Sequence, residues 1–333
     1  MAYQLPSNIG AFFGATESPV GTLHTFAATD AIRVIGTPSF KVRGTAIIAD
    51  RNSFTPAGGG IQVVTGSLGW DISFQTEFYM PSPSSFNTNK LAALFRACQL
   101  GIDESSANVV ITPTAGFNLA ASRVTTTNIQ PCSLMWQESG GKQFVAHGCV
   151  GKWKISAQAG DRVMIDWEFK GQWNPVADST NLAPNYGTTQ TPVIYQGGTL
   201  TDGLSSGTVF DISQFSFDPG LKLDDWADGN ATYGFALGGS TFAESPTLEI
   251  TVADSTETNG PTWTDAEDNA AGNWQLTFAT GARTFTLDLA SAQQSAFPEV
   301  TEVSSYRAQK LKIAAPAPTD QTSTAPQYTI TLS

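Results

Sequence analysis

The sequence has few of the residues from which catalytic and metal sites are usually built. Its 333 residues include two histidines and three cysteines. Cys98, Cys132 and Cys149 are widely spaced and form no C-x-x-C pair, so the sequence predicts neither a disulfide framework nor a structural zinc site. We expect reduced thiols in a protein made in a cytosol.

Long apolar runs are also missing. Residues 1–22 show no basic start followed by an apolar stretch, and no segment approaches the length that spans a membrane. The sequence therefore predicts neither a signal peptide nor a membrane helix. The sequon at Asn230 is then expected to carry no glycan.

Charge is scarce and unevenly placed. Charged residues make up 14% of the chain, and the formal net charge is −12. Residues 1–173 carry 11 acidic and 12 basic side chains, whereas residues 174–333 carry 18 acidic and 5 basic ones. Because no segment has the basic surplus that binds phosphate backbones, a conventional nucleic-acid-binding domain is excluded.

The sequence is rich in two-residue alternation of apolar and polar side chains, the pattern of a strand with one buried face. In residues 144–173, Val163, Ile165 and Trp167 share one face, and Gly160 supplies a turn, so the sequence predicts a hairpin. Further strands are predicted at residues 37–49, 61–64, 68–79, 108–112, 133–137, 209–217, 247–252, 274–278, 283–289, 306–313 and 328–332.

One helix is predicted, over Thr88–Leu100, flanking the strands. Its apolar positions recur at the spacing of a single helical face, and Gly101 follows as a stop signal. These apolar residues are Leu91, Leu94, Phe95 and Cys98. Cys98 is therefore expected to be a buried packing residue.

The chain divides into two halves. Residues 174–208 are rich in Gly, Pro, Ser and Thr and lack a sustained period, which predicts a linker or a long surface connection. This segment separates a first β domain, residues 1–173, from a second, acidic β domain, residues 209–333.

A short internal repeat supports a duplication of one β domain. Four identities recur 121 positions later, and the turn chemistry that all hairpins share is the alternative explanation. The matching pairs are Gly151 and Gly272, Trp153 and Trp274, Gly160 and Gly281, and Arg162 and Arg283. The fold class that we predict is mainly β, with two tandem β-sandwich or barrel domains and the flanking helix.

Two segments match patterns of chemical sites but lack the partners that the chemistry needs. His147-Gly-Cys149 could contribute two zinc ligands, yet only His24, Cys98 and Cys132 remain besides carboxylates to complete the shell. We therefore interpret His147 and Cys149 as positions in a strand. The G-x-S-x-G pattern at residues 203–207 has no following helix and no later histidine, which excludes a nucleophile elbow.

Two acidic segments were compared with cation sites. Asp224–Asn230 resembles a calcium loop, but Trp226 takes a ligand position and Phe235 the closing position, so a turn is favoured and calcium is the alternative. Asp265–Asn269 is interpreted as a solvated loop, with a cation site or a charged surface as alternatives. Since no carboxylate pair or phosphate cradle stands out either, we predict no enzyme, no cofactor and no metal.

The order of several short segments is similar to the layout of a known family. In the first half these are residues 20–22, 39–43, 66–70, 74–78, the helix Leu91–Leu100, residues 146–148 and the turn at Gly160. In the second half they are residues 215–220 and 281–289, and Tyr306-Arg307 before a terminal strand. In this layout, which covers nearly the whole chain, the sequence resembles the major tail tube proteins of long-tailed (siphovirus-type) bacteriophages.

The resemblance implies a structural virion protein of the viral tail, made in the host bacterial cytoplasm. Chains of this family are β-sandwiches or barrels with a flanking helix. They join into rings whose inner sheets fuse into a β-lined tube, and the rings stack and bind other tail proteins. A doubled domain implies a ring of three chains with pseudo-sixfold symmetry, and a single domain implies six; the second half has no clear counterpart of the predicted helix, so both stay open.

The charge and one loop fit this role. A channel through which DNA passes without tight binding should repel phosphates, so we expect a cluster of acidic side chains to face it. The apolar and glycine-rich segment 47–61 predicts a hairpin tip that packs against the next ring, with Ile48, Phe54 and Ile61 as contact residues. An ordinary hairpin loop is the alternative.

A second interpretation is a carbohydrate-binding or adhesive β-sandwich module. Eight tryptophans and the Asp-rich loops support it. It predicts a monomer with an exposed aromatic platform. The positions of Trp153, Trp167 and Trp274 on predicted buried faces argue against it.

Overall fold

The fold is known from a computed structural model. It describes residues 10–48, 63–80, 86, 90–104, 108–113, 130–187, 192–202, 209–224, 239–242, 244–253, 263–281, 283–316 and 326–333. This described part is mainly β. No helix within it is long and apolar enough to cross a membrane.

The strands before residue 174 come mostly in antiparallel pairs. They are β1 (Gly10–Thr16), β2 (Ala31–Ile32), β3 (Ile35–Ile48), β4 (Val63–Glu77), β5 (Leu100–Glu104), β6 (Val109–Pro113), β7 (Cys132–Glu138), β8 (Lys142–Gln158) and β9 (Met164–Trp173). Helix α1 spans Lys90–Ala97, and a 3-10 turn spans Ala28–Asp30.

The remaining strands follow residue 174. They are β10 (Ala177–Asp178), β11 (Thr199–Thr201), β12 (Val209–Asp218), β13 (Leu221–Asp224), β14 (Gly239–Phe242), β15 (Thr247–Ala253), β16 (Ala271–Thr280), β17 (Arg283–Gln294), β18 (Glu299–Val303), β19 (Tyr306–Ala314) and β20 (Tyr328–Leu332). Helix α2 spans Trp263–Glu267.

The predicted strands are confirmed, apart from small shifts of their ends. The segments predicted at 61–64 and 68–79 are one strand, β4, of which residues 63–77 are described. Strand β1 is not among the predicted strands, because residues 11–15 are buried on both faces and show no alternation. Phe12 packs into the main core, whereas Phe13 packs into a small separate cluster.

Eight strands form one antiparallel sheet, here called the front sheet. Its order is β3–β4–β9–β8–β12–β15–β19–β18. Four of these strands precede residue 174, and four follow residue 208. In the six inner strands, from β4 to β19, apolar side chains on alternate positions are buried against the core and the opposite face is polar, as expected for a sheet with a single packed face.

A second set of pairings lies behind the front sheet. The N-terminal part of β8 pairs with β7, which continues to β1 and β2. In the second half, hydrogen-bonded neighbours close a circuit: β12–β15–β19–β17–β16–β11 and back to β12. Such closure removes free edges from that part of the sheet. Strand β17 also pairs with β20, which continues to β6 and β5.

The two halves share one hydrophobic core in the described residues. Trp153 lies 5.7 Å from Phe217 between ring centroids, and Phe78 lies 5.6 Å from Phe285. Strands also cross between the halves, since β8 pairs with β12 and β6 with β20. The division into domains at residues 173 and 209 stays a prediction, and its boundary passes through this common core.

Part of the connection 174–208 is buried, unlike a surface linker. Val193, Tyr195 and Leu200 are at most 1% exposed. Leu200 lies in β11, which fills the gap between β12 and β16. The sequence pattern does not predict the burial of these residues, because the segment has no sustained period and is rich in turn-forming residues.

Helix α1 confirms the predicted buried face and corrects its C-terminal end. Leu91, Leu94, Phe95 and Cys98 are all at most 1% exposed. The helix ends at Ala97, not at Leu100, because Gln99 has a left-handed φ of 62°. Leu100 therefore begins β5, and the predicted stop residue, Gly101, lies within that strand.

The repeated hairpins are similar in structure but not identical in register. Trp153 and Trp274 are both buried, and Gly160 and Gly281 both have positive φ in the turn regions. Trp153 lies opposite Trp167 in β9. If the repeat were strict, Trp274 would lie opposite residue 288, but it lies opposite Leu289. The pairing of the second hairpin is thus shifted by one residue.

A buried carboxylate fastens the start of α1. Asp30, 6% exposed, accepts hydrogen bonds from the Ala27 N–H at 2.8 Å, from Lys90 Nζ at 2.8 Å and from His24 Nε2 at 3.0 Å. Burial alone would raise the pKa of Asp30, but these hydrogen bonds and the charge of Lys90 hold it below its ordinary value of 3.8. The charged form therefore stabilises the fold above that pH.

Replacing this carboxylate should destabilise the protein. We expect Asp30→Ala to lower the free energy of unfolding at neutral pH by about 1–3 kcal/mol, because Lys90 and the Ala27 N–H lose their partner. The difference from the native chain should shrink as the pH falls through the folded-state pKa of Asp30, where the native carboxylate is itself protonated.

Urea unfolding followed by tryptophan fluorescence at several pH values measures this difference. Asp178→Ala, at an exposed position, is the matched control and should have little effect. The assignment would be contradicted if Asp30→Ala had the same free energy of unfolding as the native chain at neutral pH. It would also be contradicted if the difference were the same at every pH.

Candidate assembly surface

The segment His147-Gly-Cys149 lies at a bulge in β8. The register shifts between His147 and Val150, and Gly148 has a φ of 59°, a conformation that glycine adopts without strain. Cys149 is fully buried. Within the described residues, no group of His, Cys, Asp or Glu side chains could hold a metal ion.

Glu17 explains why the bulge has this shape. The carboxylate, 4% exposed, accepts hydrogen bonds from the Gly21 N–H at 2.8 Å, from Ser133 Oγ at 2.8 Å and from the Gly148 N–H. Burial lowers the pKa of His147, although the charge of Glu17 and a hydrogen bond with Gln172 oppose this effect. Glu17 thus positions the backbone at Gly148, and the Cys149 thiol beside it is buried from solvent.

The other motifs give no chemical site in the described residues. The pattern at 203–207 lies outside the described residues, as do residues 225–230 of the candidate calcium loop. The Asp224 carboxylate lies 3.2 Å from Lys222 Nζ. Residues 265–267 belong to α2, and Asp268 and Asn269 follow in an exposed turn.

The tryptophans divide into buried and exposed ones. Trp153, Trp167 and Trp274 are at most 2% exposed, which confirms their predicted burial. Trp263 is 44% exposed and stacks on Phe297, which is 58% exposed, with ring centroids 6.0 Å apart. The sequence did not distinguish this pair, because it lies where α2 meets the segment before β18.

The outer face of the front sheet is polar throughout its width. Charged side chains of both signs alternate across neighbouring strands, with Lys152 Nζ 3.0 Å from Glu168 and Lys310 Nζ 3.2 Å from Glu249. Strand β13 and this face together line an open cleft of about 940 Å³. The acidic and basic residues nearly balance: Asp71, Glu77, Asp166, Glu168, Asp211, Asp218, Glu249 and Glu299 against Lys41, Arg43, Lys152, Lys154, Lys170, Lys310 and Lys312.

The front sheet ends in two strands, β3 and β18, that each pair on one side only among the described residues. Each carries an exposed valine on the buried side of the sheet. Val42, 56% exposed, lies opposite the buried Trp70. Val300, 52% exposed, lies opposite Gln309, which shares its face with Leu311. At both ends of the sheet, therefore, the inner face carries an apolar side chain that no other described residue covers fully.

The two edges carry opposite charge. Val42 stands between Lys41 and Arg43, and no acidic residue occurs from Arg33 to Arg43. Strand β18 contains Glu299 and Glu302 and no basic residue. The sequence did not identify these edges, because alternation shows which face of a strand is buried but not which neighbour it has.

One of the three predicted inter-ring residues, Ile48, lies at the far end of β3. Beyond Gly69, where the pairing of β4 with β9 ends, β3 and β4 continue as a two-stranded ribbon up to the pair Ile48 and Val63. Ile48 is thus placed on this ribbon by its backbone. Phe54 and Ile61 lie outside the described residues, so their role as contacts stays a prediction.

Comparisons with known proteins add no identification. The chain matches no model of a known protein family, and no curated protein is significantly similar to it. The class of protein that the geometry defines is a mainly β chain with an open, two-ended sheet.

The role of Glu17 can be tested separately from any function. We expect Glu17→Gln to lower the free energy of unfolding by about 1–3 kcal/mol. The carboxylate now accepts hydrogen bonds from N–H and O–H groups, and the amide NH₂ of glutamine would place a donor against a donor. Chemical unfolding measures the change, and Glu299→Gln on an exposed strand is the control. A variant as stable as the native chain would show that the bulge does not depend on this carboxylate.

Proposed function

We propose that the protein is a structural tube protein of a bacteriophage tail, which joins copies of itself into rings that stack into a channel for the genome. The single observation that carries this proposal is the front sheet with its two uncovered ends. An exposed sheet edge is normally blocked, because it invites pairing with another chain. Here both edges are open in the described residues and each exposes a valine, as expected for strands that meet a neighbouring copy.

The two edges support a head-to-tail contact. They belong to opposite ends of one sheet and carry opposite charge, so the β3 edge of one copy suits the β18 edge of the next. Because the two surfaces differ, such a contact is heterologous, and it closes into a ring or continues as a filament. A continuous sheet around a ring would also cover Val42 and Val300.

The strand count bears on the size of the ring. The front sheet takes four strands from residues before 174 and four from residues after 208. Two equivalent contributions per chain support the ring of three with pseudo-sixfold symmetry over the ring of six. The sequence repeat is not the basis of this equivalence, because it matches the β8–β9 hairpin of the front sheet with the β16–β17 hairpin, which lies outside that sheet.

The polar face of the front sheet is the candidate channel lining. Its nearly equal numbers of acidic and basic side chains make it close to neutral, rather than acidic as the net charge of the chain suggests. A neutral face still fits passage of DNA without tight binding, because it offers no basic surplus to hold phosphates. The acidic surplus of the second half then belongs to other surfaces, including α2 and the β18 edge.

A carbohydrate-binding or adhesive module is the second candidate. The exposed Trp263–Phe297 pair favours it, since aromatic rings at a surface can stack on other molecules. This candidate predicts a monomer and gives no reason for the two open sheet edges.

Electron microscopy of the purified protein tests the tube directly. We expect rings or tubes from the native chain. Deletion of residues 52–60 should leave a folded protein that forms no tubes, because the predicted inter-ring hairpin tip is lost. A native chain that stays monomeric at all concentrations would favour the module, and tubes from the deletion variant would refute the inter-ring assignment.

Cysteine cross-linking tests the edge contact. The double variant Val42→Cys/Val300→Cys should give a ladder of covalent oligomers under mild oxidation, because each copy offers both edges. A mixture of the two single variants should stop at dimers, and either single variant alone should give none. Val42→Cys/Val176→Cys is the control, since Val176 is 39% exposed but lies on neither edge.

The two experiments separate the edge contact from the tube. Tubes without the ladder would reject the β3–β18 contact and leave the function standing. A ladder without tubes would support the contact and reject the function.

A further inference from the structure

Two buried thiols face each other across neighbouring strands. Cys132 in β7 and Cys149 in β8 are directly opposite in the antiparallel register. Both are fully buried free cysteines. Neither thiol has a part in the proposed assembly surface.

The backbone geometry suits a covalent bond between them. Directly opposite residues of an antiparallel pair have Cα atoms about 4.5–5.5 Å apart. Disulfides span Cα separations of about 4.4–6.8 Å. A bond between these two sulfur atoms is therefore compatible with the strands in their present positions.

The surroundings fix both thiols in place. The register of β7 on β8 shifts next to Cys132, and the bulge at Gly148 adjoins Cys149. Gly171 of β9 leaves room for the second thiol, because a Cβ at that position would lie 2.6 Å from Cys149 Sγ. The strand on the far side thus carries no side chain that would push the sulfur away from its partner.

We propose that Cys132 and Cys149 form a dithiol site that closes into a cross-strand disulfide when the protein meets a peroxide. One thiol attacks the peroxide oxygen and becomes a sulfenic acid, releasing one water. The other thiol attacks that sulfur and releases a second water. The two thiols supply the two electrons that reduce hydrogen peroxide, and the product is one S–S bond.

Burial determines the rate of this reaction. It raises the pKa of both thiols, so little reactive thiolate is present at neutral pH, and the oxidant must reach a closed site. Oxidation should therefore be slow in the native state. It should accelerate with rising pH and under conditions that open β7 from β8.

The bond would fix a strand on which much of the fold depends. It closes the hairpin between β7 and β8, and β8 also belongs to the front sheet. A cross-link over a loop of this length stabilises mainly by restricting the unfolded chain. For a chain of this size we expect the Tm to rise by roughly 4 °C. This inference does not rest on the proposed function.

Treatment of the full, reduced chain with hydrogen peroxide tests the site. When the denatured product is alkylated, we expect one alkylated thiol per chain instead of three. A peptide map should link Cys132 to Cys149. The product should stay monomeric on a non-reducing gel, and dithiothreitol should restore both the thiols and the original Tm. Cys98→Ser should oxidise in the same way, leaving no free thiol.

Cys98 provides an internal competitor, since its thiol is near enough to act electrostatically on Cys132. A map that links Cys98 to Cys132, covalent dimers, or oxidation to sulfinic acid without an S–S bond would each overturn the proposal. Cys149→Ser should lose the cross-link; if that variant does not fold, the map of the native chain still decides.

Discussion

The fold depends on one constraint: strand β8 joins the front sheet to the strands β7, β1 and β2. Its N-terminal part pairs with β7, its C-terminal part pairs with β12, and β9 covers most of its other edge. A strand shared in this way must bend, and the bulge at Gly148 allows the bend. Glu17 accepts three hydrogen bonds, one of them from the Gly148 N–H of the bulge, and together they offset the cost of burying its charge.

This sharing produces the feature that bears most on function. Strand β8 of the first half pairs with β12 of the second half. Four strands from each half therefore form a single sheet with one polar face. The circuit in the second half removes edges there, whereas β3 and β18 keep theirs in the described part. Opposite charge and an uncovered valine at each end distinguish these edges from ordinary sheet borders. Self-assembly is the role that this asymmetry supports best.

Much of the local structure could be predicted because alternation is a local signal. The hairpin around Gly160 and the terminal strand at residues 328–332 follow from side chains that face one core. The prediction failed where burial is not periodic, as in β1, which is buried on both faces, and at Tyr195, an isolated buried residue in a loop. The end of α1 was misplaced because Gln99, rather than a glycine, adopts the left-handed conformation.

By itself, the sequence determined which residues turn inward, that the protein is mainly β, and that it has few groups suited to catalysis. These properties follow from composition and from short-range periodicity. Only the tertiary structure decided that Cys132 meets Cys149, that Glu17 supports Gly148, and that β3 and β18 end the front sheet. The physical reason is that strand pairing and burial depend on contacts between separate segments, in β1–β7 and β6–β20 more than a hundred positions apart, and no local pattern encodes which strand becomes the neighbour.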